Sequence, residues 1–247
     1  MLSSVVIFII PFICLSVSNH LPSYLPRCYL DDPQRDECIL RAFNKLRPNV
    51  ANGIEEIGLP PLNPFVLPEL ILRQDTPNAN FTIKVLNFTV AGLYKYDMKK
   101  FQYNPETKAF HFRIEYETIP ITGDIEVSGH VASIPLSGKG FGRAVLGPVN
   151  ATFDVKGNIK TSRGIDFYST HNVKVDLDIS DGSYYVEQLF NNNQTLVHLA
   201  NEMLNANSVM VSEAVTPTLE RLAEKGVKRF MKTLTRIPYY ELFPLSR

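Results

Sequence analysis

A chain of 247 residues that is 45% hydrophobic and 20% charged has enough apolar side chains for a sizeable core. Its 25 lysines and arginines balance 25 aspartates and glutamates, so the formal net charge is zero. That balance argues against nucleic-acid binding and against strong attraction to anionic membranes, both of which call for a basic excess.

Residues 1–18 read as a targeting segment. Val5 to Val17 is an uncharged apolar run, and Ser16-Val17-Ser18 is a small-x-small pattern that places cleavage after Ser18. The run of about 13 residues is short against the ~20 a membrane span needs; a retained anchor is the other reading of the same segment. Residues 19–247 then read as one domain, secreted into an extracellular fluid and without stable membrane insertion. Cleavage removes Cys14 and leaves Cys28 and Cys38, an even pair in an oxidising compartment and therefore an expected disulfide. The N-x-[ST] sequons at Asn80, Asn87, Asn150 and Asn193 are the expected glycosylation sites.

The first helix is expected after Asp31, with Asp32 as a cap and Pro33 at the first helical position. Cys38, Ile39, Ala42, Phe43 and Leu46 form its apolar face, and Pro48 is expected to end it. From Gly53 to Leu72 four prolines, Pro60, Pro61, Pro64 and Pro68, exclude a regular helix. This stretch reads as an extended edge segment that ends in a short strand at Glu69–Arg73.

Between Ala79 and Ser180 the apolar period becomes two. Phe81, Ile83 and Val85 alternate with polar neighbours, as do Phe110, Phe112, Ile114 and Tyr116. The runs Ile121–Val131, Phe153–Ile159 and Val173–Ile179 continue the pattern. One dry and one wet face per strand favours an antiparallel sheet. Phe88 and Val90 break the parity of Phe81–Val85, which places a bulge near Leu86.

Tyr184–Phe190 and Thr195–Leu204 read as helical. The longest element is expected at Ser208–Arg236, about 43 Å long if continuous at ~1.5 Å per residue. Val211, Val215, Leu219, Leu222, Gly226 and Phe230 recur there at spacings of three and four, and Ala223, Val227 and Leu234 widen the stripe. Glu213, Glu220 and Glu224 lie on one polar flank, with Arg221, Lys225, Lys228 and Lys232 on the other. Thr216-Pro217 has two readings: a kink within one helix, or a second helix capped by Thr216. Gly226 reads as a point of close approach to the sheet. A helix this long needs an equally long partner for its stripe.

Motifs for chemistry are missing. The histidines His20, His111, His130, His171 and His198 show no metal-ligand spacing, and there is no G-x-S-x-G or C-x-x-C. Gly138-Lys139-Gly140-Phe141-Gly142 lies between strand-like runs and is not a phosphate loop; glycines in strands mark bends or close backbone approach. No catalytic residue, metal ligand or cofactor is expected.

The ordered set of short motifs resembles the insect haemolymph juvenile-hormone-binding proteins and their takeout-like relatives. The matching pieces are Cys28 and Cys38 around Asp36-Glu37-Cys38-Ile39, and Gly58-Leu59-Pro60-Pro61-Leu62-Asn63-Pro64. Further on come Ile119-Pro120-Ile121 with Gly123 and Gly129, and Ile134-Pro135-Leu136 with Gly138 and Gly140. Leu204-Asn205-Ala206-Asn207, Pro217, and Ile237-Pro238 with Leu242-Phe243-Pro244 complete the set, which spans nearly the whole mature chain. Asn63 departs from the pattern, standing where an acid is expected before the proline.

The resemblance implies an α+β fold, a strongly curved antiparallel sheet wrapped around the long C-terminal helix in an elongated, TULIP-like lipid-binding architecture. It implies a monomeric carrier of a small hydrophobic ligand, a terpenoid or other lipid, in an internal tunnel, and takeout-like members are linked to circadian and feeding behaviour. Candidate liners are Phe110, Phe112, Ile114, Tyr116, Ile125, Val127, Phe153, Val175, Leu177, Leu219, Leu222, Val227 and Phe230, with the Tyr116 hydroxyl as a polar contact for a ligand oxygen. The competing reading is a secreted signalling protein that acts through its surface on a cell-surface receptor.

Overall fold

The alternating stretches pair into two antiparallel sheets. The computed structural model describes residues 21–76, 79–131 and 134–246. In chain order these form α1 (Arg35–Asn52), β1 (Phe65–Thr76), β2 (Ala79–Val90), β3 (Asp97–Asn104), β4 (Ala109–Tyr116), β5 (Ile119–Val131), β6 (Ile134–Leu146), β7 (Val149–Ser162), β8 (Ile165–Ile179) and β9 (Gly182–Glu187), followed by α2 (Leu189–Asn192), α3 (Gln194–Ala206), α4 (Ser208–Leu234) and α5 (Tyr239–Leu242). One sheet has the order β1-β2-β5-β6-β9, and the other β3-β4-β7-β8. Where one curved sheet is expected there are therefore two. Period-two patterning says which face of a strand is dry, but not which sheet the strand joins.

Two apolar clusters fill the interior. The first gathers Val50 of α1, Phe101 and Tyr103 of β3, Phe110 of β4, Phe153 and Val155 of β7, and Tyr168 and Val175 of β8. The second gathers Phe88, Val90, Ile119, Leu146, Val149 and Ile179. α4 spans both: Ala223, Val227, Phe230, Met231 and Leu234 pack on the first, and Leu219 and Leu222 on the second. The long stripe is the common axis of the two sheets, as its length requires.

α4 is one helix of 27 residues that passes through Pro217, so no second helix starts there. Proline cannot donate to the carbonyl four residues back. Nearby, the Thr216 hydroxyl donates to the Ser212 carbonyl at 2.8 Å. Glu220 and Glu224, members of one polar flank of the stripe, meet the open edge of β8. Their carboxylates accept the N–H groups of Leu177 at 3.0 Å and Val175 at 3.2 Å. Four helical residues advance ~6 Å and two strand residues ~6.6 Å, so the two spacings match.

Gly226 does not mark close approach: a Cβ built there meets nothing within 4 Å. Only the helical cost of glycine then remains, so Gly226→Ala should raise stability by about 0.5–1 kcal/mol in denaturant unfolding.

Three local expectations change. α1 begins at Arg35, not Pro33, and Asp32 serves the turn before it, accepting the Gln34 N–H at 2.8 Å. The helix also continues past Pro48 to Asn52, ending at Gly53 with φ 83°. Proline fixes φ near the helical value and removes a single donor, while burial of Val50 in the first core holds the extra turn. The stretch expected to be helical at Tyr184–Phe190 is mostly β9, paired with β6, and only its end turns into α2. The strand expected at Glu69–Arg73 extends over Phe65–Thr76.

Other features agree with the sequence. Cys28 and Cys38 form a disulfide with Cα atoms 5.8 Å apart. The β2–β5 register shifts between Leu86 and Thr89, and Asn87 sits there with φ 51°. The expected targeting segment lies outside the described residues. Among the described residues no helix is long and apolar enough to cross a membrane.

Several tyrosines are held protonated by the core. Burial pushes the Tyr96 phenol up to about 12, and raises those of Tyr103, Tyr116 and Tyr168 as well. Tyr96 donates to the Phe43 carbonyl at 2.6 Å and Tyr168 to the Lys108 carbonyl at 2.8 Å. A phenol whose folded pKa exceeds its unfolded value of 10.0 contributes stability that is intact below about pH 10. That stability is lost as pH rises through 10 toward the folded value. Phenolate absorbance and circular dichroism followed together should show these tyrosines ionising late, in step with alkaline unfolding.

Candidate functional site: an apolar cavity under the five-stranded sheet

A cavity of about 540 Å³ lies between the five-stranded sheet and the helices that cross it. Strand parity supplies its floor. Leu70 and Leu72 come from β1, Phe81, Ile83, Val85 and Phe88 from β2, and Ile121, Ile125 and Val127 from β5. β6 contributes Gly138, Gly142, Ala144 and Leu146, and β9 contributes Tyr184 and Val186. The roof is Leu189 and Phe190 of α2, Ala200, Met203 and Leu204 of α3, and Val211, Val215 and Leu219 of α4.

The glycines of β6 allow neighbours to fold over the strand. A Cβ on Gly142 would fall 2.3 Å from Cδ1 of Ile125, so Ile125 lies where a side chain would otherwise stand. A Cβ on Gly140 would fall 2.1 Å from the Glu187 carbonyl oxygen and 3.0 Å from the Leu189 nitrogen. Close backbone approach does occur at the glycine-rich stretch, but the segment that approaches is the β9–α2 junction rather than the long helix.

Polar groups are few along these walls. The Tyr184 and Ser212 hydroxyls are 2.6 Å apart, and Ser212 is fully buried. Burial raises the Tyr184 phenol above its ordinary value, so it stays neutral at physiological pH. Arg143 touches the cavity but is paired to Glu187 at 3.4 Å and stacked over the Tyr185 ring at 5.0 Å. Met203 lines the cavity yet is 68% exposed, so the interior meets solvent at α3. Among the described residues no three His, Cys, Asp or Glu side chains gather into a metal site.

Of the candidate liners, the structure brings Ile125, Val127 and Leu219 to this cavity. Phe110, Phe153 and Val175 are buried in the first core, and Phe112, Ile114, Val227 and Phe230 pack against it. Phe112 stacks on Phe153 with ring centroids 4.6 Å apart and planes 9° from parallel, which leaves no space between them for a ligand. Leu222 packs on the second core, while Tyr116 and Leu177 touch both. Tyr116 is not in the wall; Tyr184, a half-buried tyrosine, is. Phe81, Ile83, Val85 and Ile121 share the period-two signal of Ile125 and were legible by the same rule. The α3 liners Ala200, Met203 and Leu204 share one apolar face at helical spacing, but that this face meets the cavity depends on how the chain returns after β9.

Comparison with known proteins places the chain. The family model for haemolymph juvenile hormone binding protein matches residues 6–244. The circadian clock-controlled protein daywake of Drosophila melanogaster is 21% identical over 241 residues, covering 93% of this chain and 90% of that protein. The crystal structure of Epiphyas postvittana Takeout 1 superposes with a TM-score of 0.76 at 18% identity, over 89% of this chain and all of that one. That structure supports the fold; the match to the family model, over nearly the whole length, decides the membership. The chain belongs to the haemolymph juvenile hormone binding protein family.

Proposed function

We propose that this chain, from residue 19 to its end, is a secreted carrier that holds a small hydrophobic molecule in the cavity under the five-stranded sheet. The observation that carries this reading is the cavity itself. Its 540 Å³ falls within the ~300–1,000 Å³ usual for small-molecule sites, and its walls are almost wholly aliphatic and aromatic. Such walls suit a terpenoid or an acyl chain, and juvenile hormone, named in the family's description, gives the first ligand class to test. A polar end of such a ligand has the neutral Tyr184, a lining residue whose hydroxyl is held by Ser212, as a hydrogen-bonding partner. No reaction is part of the proposal; the protein binds and releases. Secretion goes with glycosylation at the sequons, of which Asn80, Asn87 and Asn193 are exposed. A role in circadian regulation accords with the name of the Drosophila relative.

Organic extraction of the purified protein followed by mass spectrometry is the direct test, with titration by dansyl-labelled undecanoic acid and a radiolabelled terpenoid beside it. A co-purifying lipid or saturable binding is expected. A protein that yields no lipid and binds neither probe would overturn the reading.

A further inference from the structure

β9 is the outer strand of its sheet, and an outer strand presents unpaired N–H and C=O groups. α3 meets them with two asparagines one helical turn apart. The Val186 N–H donates to Asn201 Oδ1 at 2.7 Å, and Asn201 Nδ2 donates back to the Val186 carbonyl at 2.9 Å. The Tyr184 N–H donates to Asn205 Oδ1 at 3.0 Å, and Asn205 Nδ2 donates to the Tyr184 carbonyl at 2.7 Å. Each amide does what a residue on a neighbouring strand would do. The ~6 Å rise of four helical residues matches the ~6.6 Å rise of two strand residues. Both residues held in this way, Tyr184 and Val186, line the cavity.

Little else secures α3. Val197 is its buried residue, while Leu196 and Leu199 are 45% and 47% exposed. Asn193 and Asn207 join it to α2 and α4 as single non-helical residues. The connection from β9 places Gln188 and Phe190 at φ 61° and 54°, left-handed backbone that non-glycine residues adopt at a cost. On the other sheet, the Glu220–Glu224 clamp belongs to a helix packed into both cores. Few buried apolar contacts and hydrogen bonds near the surface mark an element of low local stability.

We propose that α3 is the gate of the cavity, and that Asn201 and Asn205 are the latch that closes it on β9. When α3 lifts, water replaces the four neutral amide hydrogen bonds and a path opens between α3 and β9 to the wall formed by Ala200 and Leu204. When α3 returns, the sheet edge is covered and the opening beside Met203 narrows. A latch of uncharged amides works equally at any pH near neutrality. The role of gate rests on reading the cavity as a ligand site; the latch itself does not.

Hydrogen exchange on the ligand-free full chain tests the latch without any ligand. The amides of Tyr184 and Val186 should exchange together with those of Leu199 to Met203, at least about tenfold faster than Phe153 and Val155 in central β7. Protection equal to that of β7 would overturn the proposal. Stopped-flow mixing with dansyl-labelled undecanoic acid tests the gate. Asn201→Ala with Asn205→Ala removes the four hydrogen bonds to β9, together with the one from Asn205 Nδ2 to the Asn201 carbonyl, and should speed both association and dissociation about tenfold or more, while Kd moves less than about threefold. Asn205→Asp keeps the acceptor for the Tyr184 N–H and loses the donor, so it should shift both rates the same way by less. Unchanged rates in a folded variant would overturn the gate, even with the probe bound normally. A wild-type protein that binds no probe would instead remove the carrier reading, and exchange would still judge the latch.

Discussion

Replacing Val215 with tryptophan should lower the affinity for dansyl-labelled undecanoic acid at least about tenfold and leave the protein folded. Val215 stands on the N-terminal half of α4 and faces the cavity. An indole there takes space that an apolar ligand would use. Denying the ligand even ~60 Å² of burial costs about 1.5 kcal/mol at ~25 cal/mol per Å², which is close to tenfold in Kd. Overpacking costs of ~1–3 kcal/mol apply to cores already filled; here the cavity receives the ring. Thermal unfolding should therefore stay near the wild-type midpoint or rise. Unaltered affinity in a folded Val215→Trp variant would show that the ligand sits elsewhere.

The opposite pattern is expected for Phe153→Ala. Phe153 is 9% exposed, stacks on Phe112, and belongs to the first core rather than the cavity wall. Truncating a buried phenylalanine costs about 3–5 kcal/mol, a large share of the ~5–15 kcal/mol that holds a domain together. Denaturant unfolding should show that loss, while probe affinity at low temperature stays within about threefold. If Phe153→Ala lost affinity as strongly as Val215→Trp, the ligand path would run through both cores rather than end in the cavity under the five-stranded sheet. The pair of variants thus separates a residue that fills the core from one that borders a ligand space, a distinction that hydrophobicity alone does not draw.

The two sites also show where reading residues in order reaches its limit. Phe110, Phe112 and Phe153 carry the same alternation as Ile125 and Val127, yet the first three fill a core and the last two line a cavity. The difference lies across the strand. Opposite Phe110 and Phe112 stand Tyr103, Phe101 and Phe153, large rings that close the space. Ile125 is paired with Gly140, and Val127 with Gly138, which contribute no side chain. Register is a long-range property, so the small partner of a large residue is invisible until the strands are paired.

Much was nonetheless set by local chemistry. The period-two runs gave the strands and their dry faces, the three–four spacing gave α4, the parity break gave the bulge at Asn87, and two cysteines gave the disulfide. These follow from the rise and pitch of helix and strand, which any short segment shows by itself. The sequence also carried the family, through small motifs in fixed order. Only the tertiary structure decided that the strands divide into two sheets and that Tyr184–Glu187 pairs with β6 instead of forming a helix. It alone placed Glu220 and Glu224 on one strand edge and Asn201 and Asn205 on another. In each of those cases the outcome depends on a backbone N–H or C=O far along the chain that needs a partner, and a polar residue on a helix does not reveal whether that partner will be water or a strand.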